Sequence, residues 1–256
     1  MKNNDKLLER AQALKLYGLV SHWEEVNDAE WIKSLIKWEE TEKTQRSLSR
    51  RLSDSHIGSF KPLIEFDWDW PRECDQALVE ELMKLDFIND KINIVLIGPN
   101  GAGKTTIVKN IAYEAIMKGY SVLFTSAGNM LNNLASQDGD YALRRRLNHY
   151  CRPDLLIVDE VGYLSYSTRH ADLLFEIVNR RYSEKSIIVT TNKPFGEWSE
   201  IFPNASCVVS LIDRIVHNSE ILNIEADSYR LKESQERIKQ RKERRKKNKR
   251  TPKKET

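Results

Sequence analysis

The segment LIGPNGAGKTT, residues 96–106, limits what this chain can fold into more than any other stretch of it. It satisfies G-x-x-x-x-G-K-[ST] through Gly98, Gly103, Lys104 and Thr105, and it stands between an apolar run, INIVLIG, and a helical pattern, TTIVKNIAYEAIMKG. A strand, a glycine-rich turn and a helix in that order aim backbone N–H groups and the positive end of the helix at one anion. Gly98, Pro99, Asn100, Gly101, Ala102, Gly103, Lys104, Thr105 and Thr106 are therefore assigned to a nucleoside triphosphate. Lys104 would reach its β- and γ-phosphates, and the Thr105 hydroxyl would bind Mg²⁺. Kinases, motors, switches and assembly ATPases share such a loop, so the use made of the nucleotide has to come from elsewhere.

The rest of the chain fits an α/β fold. After the loop, the strand patterns YSVLFTSA, DLLIVDE, SIIVTTN and EILNIE alternate with helical ones, NMLNNLA, DYALRRRLNHY, HADLLFEIVNRRY and CVVSLIDRIVHN. Five strands in alternation with helices predict a doubly wound parallel sheet covered on both faces. A further helix is expected from Asp75 to Leu85. Residues 1–60 read as a small helical domain. Leu7, Ala11, Leu14 and Tyr17 share one stripe with Gly18 as the stop, and Trp31, Leu35 and Trp38 share another. Residues 61–72 form an aromatic-acidic linker containing FDWDWP, 73–231 the nucleotide-binding core, and 232–256 a basic tail.

Two carboxylates complete the loop's chemistry. The apolar strand LLIV delivers Asp159 to its carboxyl end, where ligands bind in such sheets, and Asp159 would reach Mg²⁺ through water. Glu160 would polarise an attacking water. Asn192 ends the next strand and would orient that water if the strands are neighbours. Arg214, in SLIDRIVHNS, and Arg230, in DSYRLK, are candidates to neutralise charge developing on the γ-phosphate. The residues alone do not say which arginine serves its own chain and which a neighbour.

Charge is unevenly distributed. Residues 237–254 carry +11 against +3 for the whole chain, which leaves the rest at −8. Contact with duplex DNA would therefore be local, through the tail, through Arg144, Arg145 and Arg146, or through RSLSRR at 46–51. For the tail the alternative is a solvated extension, and for the arginine triplet a helix face with acidic partners of its own. Trp68 and Trp70 read either as neighbours of the adenine or as docking anchors of the linker. Cys74, Cys151 and Cys207 lack metal or redox spacing. The charged N-terminus and the absence of a long apolar run predict a soluble, cytoplasmic protein with no membrane contact.

With the phosphate loop, VDEVGYL, TTN, DRIVH and SYRLK in this order, the chain resembles the IstB-like family, ATP-binding helpers of insertion-sequence transposition. These belong to the AAA+ (ASCE) P-loop clade that includes the helicase loaders DnaC and DnaI. The resemblance covers nearly the whole chain and is most specific in LLFEIVNRRYSEKSIIVTTNKPFGEWSEIF. It implies a homo-oligomer with ATP at subunit interfaces. Arg214 would act as a finger on the neighbour's ATP and Arg230 as a sensor on its own. It further implies assembly on duplex DNA, recruitment or activation of a partner transposase, and hydrolysis as the release step, with the N-terminal helices assisting DNA and partner contacts. Asn100 and Ala102 replace the proline and threonine common in family loops, and Ala226 stands where a glycine often precedes SYR. A helicase loader is the near alternative. A small-molecule kinase and a non-hydrolysing scaffold are the distant ones; no segment after the fourth strand reads as an acceptor lid, and Glu160 is placed for water.

Overall fold

The computed structural model describes residues 2–163, 166–229, 231–234, 237–239 and 241–242. By internal packing the chain divides into two units, Met1–Asp54 and Ser55–Thr256.

The first unit is helical: α1 (Lys2–Ala13), α2 (Tyr17–Ser21), α3 (Trp23–Val26) and α4 (Trp31–Ser55). Leu7, Ala11, Trp23, Ile32 and Ile36 form its core. This corrects two expectations. α1 ends before Gly18, which lies inside α2. Lys15 adopts the left-handed conformation at φ 61°, and its N–H and that of Leu16 return to the carbonyls of Gln12 and Ala11. That is a Schellman termination made without a glycine. On α4 the buried stripe is Ile32 and Ile36, while Trp31 and Trp38 are 52% and 65% exposed. α4 has two adjoining apolar stripes about 100° apart, and only one can face Leu7 and Ala11. Arg10 grips Glu40 through two hydrogen bonds of 2.7 Å, joining α1 to α4.

The second unit carries the sheet. In chain order it contains β1 (Glu73–Cys74), α5 (Gln76–Leu82), α6 (Asp86–Asn89), β2 (Asn93–Ile97), α7 (Lys104–Met117), β3 (Val122–Ser126), α8 (Ala127–Ala135) and α9 (Asp140–Cys151). β4 (Leu155–Val161), α10 (Thr168–Arg181), β5 (Ser186–Thr191), α11 (Trp198–Ile201), α12 (Val208–Val216) and β6 (Ser219–Glu225) follow. The strand order is β1-β6-β2-β5-β4-β3. Five strands are parallel, and β1 adds a short antiparallel edge on β6. The uninterrupted burial of β5 and the first five residues of β4 explains their runs of branched apolar residues, since helices cover both faces. The helix expected from Asp75 to Leu85 is shorter. Asp75 caps α5 by accepting from the Leu78 N–H, and left-handed Leu85 separates α5 from α6.

Polar side chains buried at the far end of the sheet hold the strands in register. Asn93 donates to the Ile215 carbonyl and accepts from the Ile187 N–H, bridging β2, α12 and β5. Arg181, 2% exposed, donates from one end of its guanidinium to the carbonyls of Tyr150, Cys151 and Pro153. The other end donates to those of Asp154 and Ser186. One guanidinium thus satisfies the frayed end of α9, the approach to β4 and the start of β5. Burial pushes its pKa down to about 10, so it remains protonated at neutral pH.

Replacing Arg181 with Met strands those carbonyls without donors, and we expect it to cost about 3 kcal/mol in urea denaturation at pH 7. Arg181→Lys should recover only part of this, because an ammonium lacks the planar fork. A Met variant within about 0.5 kcal/mol of the parent would remove Arg181 from this role.

Candidate functional site

The phosphate loop leaves β2 at Ile97 and enters α7 at Lys104. Two of its glycines cannot be replaced, for steric as well as conformational reasons. Gly101 (φ +83°) lies under Ser228, whose Oγ would sit 2.6 Å from an added Cβ. Gly103 (φ +98°) lies under the ring of Phe66, 2.5 Å from one. The loop is therefore covered on its outer side by two distant pieces of chain. Lys104 is buried and donates to the carbonyls of Gly98 and Pro99 at 2.7 and 3.0 Å, which folds its ammonium against the loop.

Thr105 Oγ1 donates to the Asp159 carboxylate at 3.0 Å. Asp159 also accepts from the hydroxyl of Thr190, at 2.5 Å, and the same Thr190 oxygen accepts from the Glu160 N–H at 2.9 Å. β4 shifts register against β5 between Val158 and Val161, and Glu160 takes the left-handed conformation at φ 64°. Such a conformation costs a non-glycine residue about 1 kcal/mol or more. It breaks the alternation of the strand. Asp159 turns toward Thr105, and Glu160 is exposed at the wall of a cleft. Gly162 (φ +98°) follows; a Cβ there would lie 3.1 Å from Asn192 Oδ1. Because β5 lies between β2 and β4, Asn192 is held between the loop and the carboxylates. Its Oδ1 is buried without a hydrogen-bond partner.

Beside them opens a cleft of about 530 Å³, a volume suited to one small ligand. Loop residues Asn100 to Thr106 form its floor, with Glu160, Tyr163 and Asn192 at one side. The remaining wall comes from the linker and from chain after β6: Lys61, Glu65, Phe66, Asp67, Trp70, Tyr229 and Glu233. These two segments hold each other. Lys61 pairs with Glu233, Lys232 with Asp67 at 3.0 Å, and the Lys232 ammonium lies 4.3 Å from the centre of the Trp70 ring. The Glu233 carboxylate raises the pKa of Lys61, and Lys61 lowers that of Glu233. Tyr229 N–H donates to the Gly101 carbonyl, and Trp70 Nε1 to that of Asp227. Trp68 packs on Phe66, ring centres 4.6 Å apart, and does not line the cleft; Trp70 does both jobs, lining it and anchoring the linker.

Arg214 lies apart from the residues lining this cleft. It bonds Asn179, and its guanidinium lies 4.6 Å from the Phe175 ring centre, on the surface shared by α10 and α12. Arg230 lies outside the described residues, as does the tail beyond Lys242. A hydroxyl beside a carboxylate, both hard oxygen donors, fits an Mg²⁺ site completed by phosphates. Among the described residues no cluster of His, Cys, Asp and Glu offers an all-protein metal site. No helix among them is long and apolar enough to cross a membrane. Sequence reasoning missed Thr190, which reads as an ordinary strand former, and Phe66, which reads as one more aromatic residue of the linker.

The sequence profile of the IstB-like ATP-binding proteins matches residues 4–237. The ATP-binding protein of insertion sequence IS5376 from Geobacillus stearothermophilus is 34% identical over 229 residues, 90% of either chain. Among solved structures, AMPPCP-bound DnaA from Aquifex aeolicus superposes with a TM-score of 0.54 at 25% identity, over 70% of this chain and 55% of that one. DnaI gives 0.54 at 15% identity, over 67% of this chain and 90% of that one, a likeness of fold alone. The fold is that of the AAA+ P-loop proteins.

Thr190→Val keeps the shape of the strand but leaves the Glu160 N–H unpaired and Asp159 short of a donor. We expect it to cost about 1–3 kcal/mol in chemical denaturation, with Thr190→Ser close to the parent. A Val variant as stable as the parent would mean the hydroxyl does not hold the bulge.

Proposed function

This chain belongs to the IstB-like ATP-binding proteins, and we propose that it is an ATPase whose subunits assemble on duplex DNA and recruit or activate a partner transposase. The relative named for an insertion sequence, matched over 90% of its length, favours transposition over helicase loading.

The observation that carries hydrolysis is the pairing of Glu160 with Asn192 across the cleft wall. Glu160 is turned outward by a strained bulge, and Asn192 Oδ1 is a buried acceptor with nothing to accept from. In this reading Glu160 takes a proton from the attacking water, and Asn192 receives the water's other O–H. Lys104 moves from the loop carbonyls to the β- and γ-phosphates. Thr105 and Asp159 would hold Mg²⁺, which when bound neutralises charge on the phosphates. Phe66 and the chain at Ser228 narrow the access of bulk water to the loop.

Assembly follows from Arg214. It does not line the cleft of its own chain, and it is presented on a packed helix face. A guanidinium there serves a nucleotide held by a second copy. A ligand shared by two subunits stabilises their contact, and hydrolysis then dissolves it. Arg230 is proposed as the sensor within the chain.

Glu160→Gln should bind ATP as the parent does and lose hydrolysis by about 10²-fold or more, read as phosphate release under single-turnover conditions. Rates equal to the parent's would exclude Glu160 as the base. Arg214→Ala should retain ATP binding, lose hydrolysis, and fail to assemble in sedimentation with ATP and duplex DNA. A variant that still assembles and hydrolyses normally would sink the shared-site reading.

A further inference from the structure

Of the three basic groups that the sequence offers for contact with a polyanion, the structure separates two. In α4, Arg46 faces Glu39 and bonds the Glu42 carbonyl and Arg51 donates to Ser47, which leaves Arg50 alone of the three without a side-chain bond among the described residues. In α9 the situation is the reverse. The side chains of Arg144, Arg145 and Arg146 have no hydrogen bond or ion pair among the described residues. Leu147 and Tyr150 fix the rotation of the helix by turning inward. That rotation leaves Tyr141, Arg144, Arg145, Asn148 and Arg152 exposed, and a period of 3.6 puts these five on one face.

No acid among the described residues forms an ion pair with Arg144, Arg145 or Arg152, although Asp140 stands one turn before Arg144. Glu176 is held by Arg180 at 2.7 Å, and Arg180 itself reaches Asn148 at 3.3 Å, which adds a cation at the edge of the stripe. Asp154 is occupied by the Ser121 N–H and hydroxyl. Lys185 bonds the Arg152 carbonyl and brings another ammonium. Asp138 and Asp140 sit at the N-terminal end of α9, where the helix dipole accommodates them. Burial, and then Arg146, lower the pKa of the neighbouring His149. A chain whose body is acidic overall thus concentrates unpaired guanidinium groups on one helix.

We propose that this exposed face of α9 is a track for the phosphates of a nucleic-acid duplex, independent of base sequence. The inference rests on the DNA-binding reading above and assigns a surface to it. Arg145 and Arg152 are separated by about 10 Å along the helix, and each strand of a duplex presents a phosphate for every ~3.4 Å of axis. Each guanidinium therefore has an acceptor within reach of its long side chain. Tyr141, 83% exposed, and Asn148 add neutral donors. A protein partner would need an apolar centre or pocket to anchor it, and Tyr141 is the sole apolar group of this face.

The test is fluorescence anisotropy of a labelled duplex of arbitrary sequence, titrated with the full chain in ATP and Mg²⁺ at several salt concentrations. Arg144→Gln/Arg145→Gln/Arg152→Gln should bind about tenfold or more weakly, and its plot of log K against log[salt] should be shallower by about 0.9 for each phosphate no longer neutralised. Its melting temperature and its ATP hydrolysis without DNA should match the parent, since none of the three lines the cleft. The triple Lys variant should keep the parent's slope. A Gln variant that follows the parent's salt line overturns the inference and leaves the DNA-binding reading intact. A parent chain that binds no duplex at any salt removes that reading, and this one with it. Loss of polyglutamate binding in the Gln variant, with duplex binding unaltered, would assign the face to an acidic protein and overturn the inference.

Discussion

A line of hydrogen bonds from Thr105 through Asp159 to Thr190 joins the carboxyl ends of three strands, and the rest of the site is arranged around it. Thr105 opens α7 after β2, Asp159 ends the regular part of β4, and Thr190 belongs to β5. Each partner comes from a different strand–helix unit, and β5 lies between β2 and β4. Burial strengthens its inner half, because Asp159 and Thr190 are shielded from water and from screening. The same Thr190 oxygen also receives the Glu160 N–H. The bulge that turns Glu160 outward is thereby tied to the carboxylate that faces the loop, and strain at one residue is offset by bonds made at its neighbours.

The outer half of the cleft is built differently. The linker and the chain after β6 meet over the loop through ion pairs, ring contacts and the hydrogen bond from Trp70 to the Asp227 carbonyl. Exposed pairs contribute little each. The more demanding constraint is steric: Phe66 and Ser228 press on Gly103 and Gly101 so closely that any side chain at either position would displace them. The loop glycines are therefore needed twice, once for backbone conformation and once for the cover that lies on them.

The parallel sheet was legible in the sequence because strands buried on both faces read as unbroken apolar runs, with β4 and β5 the clearest. Asp159 and Glu160 were legible from their place at the end of such a run. Strand order was not, since pairing is set by contacts that have no local signature. Nor was the bulge at Glu160, whose cause is a hydroxyl 30 residues away. Lys61 meets Glu233 across 172 positions, so no local pattern could announce the cover. In the N-terminal helices the tryptophans misled: large aromatic residues outweigh isoleucines in any count of apolar stripes, yet the narrower Ile32 and Ile36 fill the space beside Ala11. Asn192 stands between these cases, an ordinary turn residue by itself and informative only from its order after the loop and the acids.

Charge in the cleft bears on whether one chain suffices. Its described lining includes two cations, Lys61 and Lys104, and four carboxylates, Glu65, Asp67, Glu160 and Glu233. Lys61 is already committed to Glu233, which leaves Lys104 to face a ligand carrying several negative charges. Backbone N–H groups and the N-terminus of α7 supply partial charges, and a divalent cation would add more. In the proposed hydrolysis, the negative charge that develops in the transition state would have to be met beside these carboxylates. Arg214, which bonds Asn179 and lies over the Phe175 ring, is the cation proposed above to answer that deficit from a second copy. In the proposed reading the missing positive charge comes from a second copy, and hydrolysis would then be conditional on assembly, the coupling that an assembly ATPase requires and a lone kinase does not.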